Sequence, residues 1–384
     1  MLELSLADAA LLNGGTAAVF YANEPVRYFS AVVSRLTRVF DATVQARDTA
    51  LASAATKPTT PRPGVRVRVY DQLAIAVDAN PRLEGAGRAL GPVASDIMRF
   101  YGSILDDTPY DGLTVAMLEH DLPGGHSPAY FAIVNTAAPL SRLYWGNDPA
   151  AFTGIPEYFA AHEMAHQWWG QAVGWKNYHE QWISEGFAQY FAALYARHAH
   201  GDEAFTSMLR QFRRWSLSQS NEGPVDLGYR LGLIEGEGRV FRALVYNKGA
   251  GVLHMLRNLL GDERFFNGLR QFYGDQKFQK AGTDDFQRAM ETASGQSLQR
   301  FFDRWIRGSE IPTVRYVTRI QADGVFIQFD QDPGTIFDIP VTVTLGFTDD
   351  PLVPGVTPIR AVHLIELRLR IDAARSANGL AAMS

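Results

Sequence analysis

Apolar positions along the chain fall into three successive patterns. Up to residue 80 they form short strand-like runs, at residues 17–21, 26–29 and 65–70. The last of these alternates apolar and charged residues, as a half-buried strand does. Between them, residues 53–64 (SAATKPTTPRPG) are rich in Pro and Thr and read as an exposed loop. From residue 83 to 105 the spacing becomes helical, with Leu90, Val93, Ile97, Phe100, Tyr101 and Ile104 on one face. Residues 114–118 and 130–135 read as buried strands, with LPGGHSP at 122–128 between them. From residue 157 to about 307 the chain is helical. Periodic runs cover 203–218, 248–260, 263–273, 283–293 and 297–305, and Thr283 with Asp284 and Asp285 gives one of them a clear start. A Gly-rich stretch at 223–238 follows no strand and ends in no G-K-[ST], so it reads as an irregular loop and not a phosphate cradle. Beyond Pro312 the period falls to two, over 314–320, 325–329, 339–347 and 359–371, which predicts a small β-sandwich with a disordered tail after Asp372.

The prediction is therefore an α+β chain in three parts. Residues 1–80 form a truncated N-terminal β region. Residues 81–312 combine a small mixed sheet with a mostly helical half. Residues 313–384 form a C-terminal β-sandwich module.

The chemistry concentrates in residues 157–190, EYFAAHEMAHQWWGQAVGWKNYHEQWISEGFAQY. His162-Glu163-Met164-Ala165-His166 is an H-E-x-x-H pattern. Residues four apart share one helical face, so His162 and His166 can aim at one point. Glu163 can reach a water on the same metal. Glu185, after eighteen intervening residues, opens a second helical run and could supply a third ligand. Two His and one Glu around an open fourth position make the ligand set of a catalytic zinc site. The flanking Tyr158, Phe159, Ala160, Ala161, Met164 and Ala165 suit a buried helix, and Gly170 suits its stop.

At this point the chain resembles the aminopeptidase N family of gluzincin zinc peptidases. His166-Gln167-Trp168-Trp169-Gly170 is similar to that family's HQWFG. Trp182 to Ala188 is similar to its WLNEGFA, with Ser184 where the family has Asn. Tyr246-Asn247-Lys248-Gly249-Ala250 resembles its Y-x-K-G-A block. The resemblance covers about residues 80–312 and implies a thermolysin-like catalytic domain with one Zn2+ per chain. It implies that the Tyr246 hydroxyl binds the oxyanion. It also implies that Gly124, Gly125, His126 and Ser127 line the substrate cleft. There the family has Gly-x-Met-Glu-Asn, whose Glu grips the substrate's free α-amine. His126-Ser127-Pro128 replace Met-Glu-Asn here, and a neutral Ser127 cannot pair with an ammonium as a carboxylate does. Glu119 or Asp121 could supply that charge.

Composition narrows the alternatives. The chain has 384 residues, a net charge of −5 and no cysteine. The first allows two or three domains. The second gives no basic excess for nucleic acid. The third excludes disulfides, thiol catalysis and cysteine-ligated zinc, so any metal must use His and carboxylates. No transmembrane segment is visible, and the N-terminus, with early acids and no basic leader, is a poor signal peptide. Composition fixes neither the compartment, cytoplasmic or exported, nor the oligomeric state. The other histidines read as structural: His198 and His200 at a helix end, His254 in an apolar helix, His363 in a strand and His179 on the surface. Trp168, Trp169 and Trp182 read as packing around the two metal-bearing helices.

Three functions remain open. The first is a zinc aminopeptidase acting on peptides. The second is an endopeptidase or a peptidase of altered end-specificity, suggested by Ser127. The third is a zinc-stabilised scaffold that binds without turnover. The scaffold would have no need of Glu163 or Tyr246.

Overall fold

The computed structural model describes residues 22–47, 70–119, 124–136, 148–152, 154–233, 238–321 and 324–341. The chain divides into two compact units, Met1–Glu310 and Ile311–Ser384.

The first unit opens on strands β1 (Thr37–Gln45) and β2 (Gln72–Ala79), paired antiparallel. Helix α1 (Glu84–Leu105) then returns the chain so that β3 (Gly112–Glu119) lies parallel to β2. Such a parallel pair needs a long crossover, and α1 supplies it. Ile97, Met98, Tyr101 and Leu105 form its buried face. The short strand β4 (Gly124–His126) and β5 (Phe131–Thr136) complete a five-stranded sheet of order β1-β2-β3-β5-β4. Strand β4 is an edge strand, antiparallel to β5, with Gly125 opposite Val134.

The helical half follows. Helix α2 (Tyr158–Ala165) leads through a tight turn to β6 (Val173–Trp175), then to α3 (Trp182–His200) and α4 (Asp202–Gln219). A π-helix, Arg242–Lys248, runs directly into α5 (Gly249–Leu260). Helix α6 (Asp262–Gln276), strand β7 (Gln279–Ala281), α7 (Thr283–Ser294) and α8 (Gln299–Trp305) end the unit. Strand β7 pairs parallel to β6. Helices α2 and α3 are buried almost all round, with every residue of α3 from Gly186 to Ala196 inside. An α-helix apolar on all faces is a core helix. Phe187 of α3 packs with Trp169, Phe272 and Phe286, with ring centroids in this cluster 4.8–6.2 Å apart. The three tryptophans expected to pack there are fully buried.

Helix α3 crosses the π-helix and α5 almost backbone to backbone. A Cβ on Gly186 would lie 3.1 Å from both the Gly249 Cα and the Val245 carbonyl oxygen. The Gly of E-G-F-A and the Gly of K-G-A therefore meet each other. Their neighbours Glu185 and Tyr246 are brought to one place by that crossing.

The helices lie within a few residues of their predicted limits. The N-terminal region differs more. Residues 26–29 form no strand and run instead as an irregular arm. Strand β1 was not anticipated, because its residues are exposed or only half-buried and their pattern is diluted by Arg38 and Asp41. Strands β1 and β2 belong to the same sheet as β3, so residue 80 falls between hydrogen-bonded neighbours. The runs at 17–21 and 65–69 lie outside the described residues. In the second unit, β8 (Val314–Gln321) and β9 (Gly324–Gln331) form an antiparallel hairpin. The runs beyond it, apart from 339–341, and His363 lie outside the described residues. No described helix is long and apolar enough to cross a membrane.

Replacing Gly186 by Val forces this crossing apart. Overpacking of this kind costs about 1–3 kcal/mol, so Gly186→Val is expected to lower the melting temperature measurably while Gly251→Ala, in open space on α5, is not. Equal melting of the two variants in a thermal scan would contradict the close crossing.

Candidate active site

Helix α2 carries His162 and Glu163, and His166 caps its C-terminal end. The Tyr101 hydroxyl donates to the Ala161 carbonyl at 3.0 Å and braces α2 from α1. Four-residue spacing puts both imidazoles on one face. Their ring centroids are 4.8 Å apart. Glu185, in the first turn of α3, places its Oε2 3.3 Å from His162 Nε2 and 3.4 Å from His166 Nε2. His166 Nδ1 lies 2.9 Å from the Trp169 carbonyl, which accepts its hydrogen bond and turns Nε2 toward Glu185. Gly170, at φ 114°, lets the chain reverse there, and its missing Cβ makes room for the Ser184 hydroxyl, which also donates to the Trp169 carbonyl.

Burial alone would raise the pKa of Glu185, but the two imidazoles outweigh it and hold the carboxyl well below its ordinary range. Burial likewise works to lower the His166 pKa, yet Glu185 and Glu163 carry it up to about 9.

This donor set fits a zinc ion. The Nε2 and Oε2 donor atoms converge within 4.8 Å of one another. Ligands about 2.0–2.1 Å from a tetrahedral metal lie about 3.3–3.4 Å apart, the spacing Glu185 keeps from each imidazole. Glu185 Oε2 is buried without a hydrogen-bond partner, as an oxygen reserved for a cation would be. No cysteine competes.

Around these three, the other residues singled out by sequence take distinct places. Glu163, 6% exposed, accepts a hydrogen bond from Ser127 Oγ at 2.5 Å. A Cβ on Gly125 would lie 2.2 Å from the Glu163 carboxylate, so strand β4 lies directly against it. The Tyr246 ring stacks on His162, with centroids 5.6 Å apart and planes within 5°. Burial, then Glu185 and Glu163, push its hydroxyl pKa well above the ordinary value, so it stays protonated as a donor. Tyr246 stands on the π-helix, a form that recurs at functional sites. All these groups open on a cleft of about 600 Å³, to which Gly125, His126 and Ser127 contribute and Gly124 does not. Glu119, named as a possible substitute charge, pairs with Arg82 at 3.0 Å and does not line the cleft. Asp121 lies outside the described residues.

Some of the machinery was not visible in the sequence. The arm at 25–28 forms part of the cleft wall, with Tyr28 stacked on His126 at 5.6 Å. Arg27 pins that arm by donating to the Gln171 carbonyl at 2.8 Å and to the Gln279 carbonyl at 2.5 Å. A buried chain of amides links α2 to the π-helix. Tyr158 Oη donates to Gln189 Oε1, Gln189 Nε2 to Asn247 Oδ1 at 2.8 Å, and Asn247 Nδ2 to the Pro149 carbonyl at 2.7 Å. Polar residues within apolar helical runs were the available signal.

Comparison with known proteins places this geometry. The Peptidase family M1 domain matches residues 157–305, which hold both histidines, Glu163, Glu185 and Tyr246. Over this segment, about two fifths of its length, the chain is similar to peptidase family M1. Curated relatives include glutamyl aminopeptidase of Rattus norvegicus, 29% identical over 199 residues, 48% of this chain and 21% of that protein. Aminopeptidase M1 of Arabidopsis thaliana is 29% identical over 267 residues, 65% of this chain and 28% of the relative. The match thus spans under a third of either relative's length. Among solved structures, an M1 zinc metallopeptidase from Deinococcus radiodurans bound to a Tyr-Ser-Ala substrate aligns with a TM-score of 0.50 at 20% identity, over 66% of this chain and 52% of that one. Aminopeptidase A of Legionella pneumophila in complex with aspartic acid aligns at 0.51 and 17%, over 69% of this chain and 30% of that one. These structures show a shared fold over the aligned part.

Zinc added to the metal-free protein is expected to raise its melting temperature, since a ligand at a thousandfold excess over its Kd adds about 4 kcal/mol of stability. Glu185→Ala should abolish most of that rise. A melting temperature indifferent to zinc would contradict the assigned donor set.

Proposed function

We propose that this M1-like chain hydrolyses peptide bonds, with one zinc ion held by His162, His166 and Glu185. The observation that carries this reading is the convergence of three metal donors, a carboxylate outside the donor set and a tyrosine hydroxyl on one cleft. A zinc ion bound there lowers the pKa of water toward neutrality and polarises the scissile carbonyl. Glu163 takes the proton of the attacking water as general base and delivers it to the leaving nitrogen. Tyr246 donates its hydroxyl proton in a hydrogen bond to the developing oxyanion. The substrate is a peptide.

Aminopeptidase activity is the first reading, supported by the relatives' names. A second has a specific observation behind it. The only carboxylates among the described residues of the cleft are Glu163 and Glu185. Both have roles at the metal, so neither is left over to pair with a substrate's α-ammonium. Cleavage that does not depend on a free N-terminus is the alternative.

Glu163→Gln should keep zinc and lose turnover; hydrolysis retained by this variant would sink the mechanism. One peptide offered free and N-acetylated to the wild type separates the two readings. Removal of single residues from the free form alone means an aminopeptidase, and cleavage of both forms means the altered specificity.

A further inference from the structure

We infer that Ser127 is a positioning residue for Glu163 and not an anchor for the substrate's amine. The inference rests on Glu163 as general base. Ser127 is only 5% exposed, and its hydroxyl proton is committed to Glu163 Oε2 at 2.5 Å. A carboxylate can only accept, so Ser127 is the donor.

The serine is itself held on both sides. Its carbonyl accepts from Gln171 Nε2 at 2.8 Å. The next carbonyl, of Pro128, accepts from Gln167 Nε2 at 3.0 Å. Gln167 and Gln171 follow the H-E-x-x-H helix directly, so this end of β4 is fastened to the segment that carries Glu163. Gly125 completes the seat, because any side chain there would displace the carboxylate.

A glutamate side chain loses considerable rotamer freedom when fixed. Here the fixing is done in advance, with Oε2 engaged and Oε1 left to take a proton from water. Preorganisation of this kind appears in turnover and not in ground-state binding. The base is thereby oriented without help from the N-terminus of a substrate.

The test compares Ser127→Thr, which keeps the hydroxyl, with Ser127→Val, which has nearly the same shape and lacks it. Both are made in the full zinc-loaded chain. The expected kcat of the Val variant is roughly tenfold below that of the Thr variant, the scale of one hydrogen bond to a charged group. KM, zinc affinity by chelator competition and the ratio of free to acetylated peptide cleavage should match between the two. A crystal structure of the Val variant should show Glu163 in more than one rotamer. Equal kcat values with Glu163 undisplaced would overturn the inference. So would a rise in KM confined to peptides with a free amine, which would make Ser127 an amine anchor. Turnover by Glu163→Gln would instead remove the general-base reading underneath.

Discussion

Three polar side chains point at one spot between two largely apolar helices, and the structure depends on keeping them there. His162, His166 and Glu185 come from two helices whose other faces are buried among alanines and aromatic rings. Burying such groups is costly unless they are paired or hold a metal. One carboxylate oxygen faces two imidazoles, and a zinc ion bound there would take all three groups as ligands. Holding it requires helices that do not slide. The aromatic cluster around Trp169, Phe187 and Phe286 supplies rigidity by packing. The contact between Gly186 and Gly249 fixes the distance between α3 and α5.

The same framework sets the other groups that line the cleft. The chain Tyr158–Gln189–Asn247–Pro149 runs from the first metal helix to the segment bearing Tyr246. Fully satisfied buried networks of this sort specify one arrangement. On the opposite side, Gln167 and Gln171 tie the edge strand to α2, and Ser127 reaches Glu163 from it. Arg27 then fastens the N-terminal arm, which sets Tyr28 against His126 over the cleft. A region that read as a leftover β segment is therefore part of the cleft wall.

Much of this was legible in sequence because it obeys local rules. The H-E-x-x-H spacing, the helical runs and Glu185 all follow from helix periodicity, and α2 and α3 lie where it puts them. The departures share one cause: they depend on contacts between distant segments. Strand β1 buries too little for alternation to reveal it. Residues 26–29 look like a strand by composition, but Arg27 finds its partners near residues 171 and 279. The role of Ser127 was hidden for the same reason. Its residue type excluded an ammonium partner, while its actual partner, Glu163, lies on a different element. The meeting of Gly186 with Gly249 explains two motif glycines that sequence alone treats as unrelated.

The central claim is that one zinc ion sits between α2 and α3. Anomalous diffraction at the zinc edge, on crystals of the zinc-loaded protein, tests it most directly. The account predicts a single strong peak about 2.0–2.2 Å from His162 Nε2, His166 Nε2 and a Glu185 oxygen. A peak elsewhere, or none at these residues in zinc-loaded crystals, would contradict it.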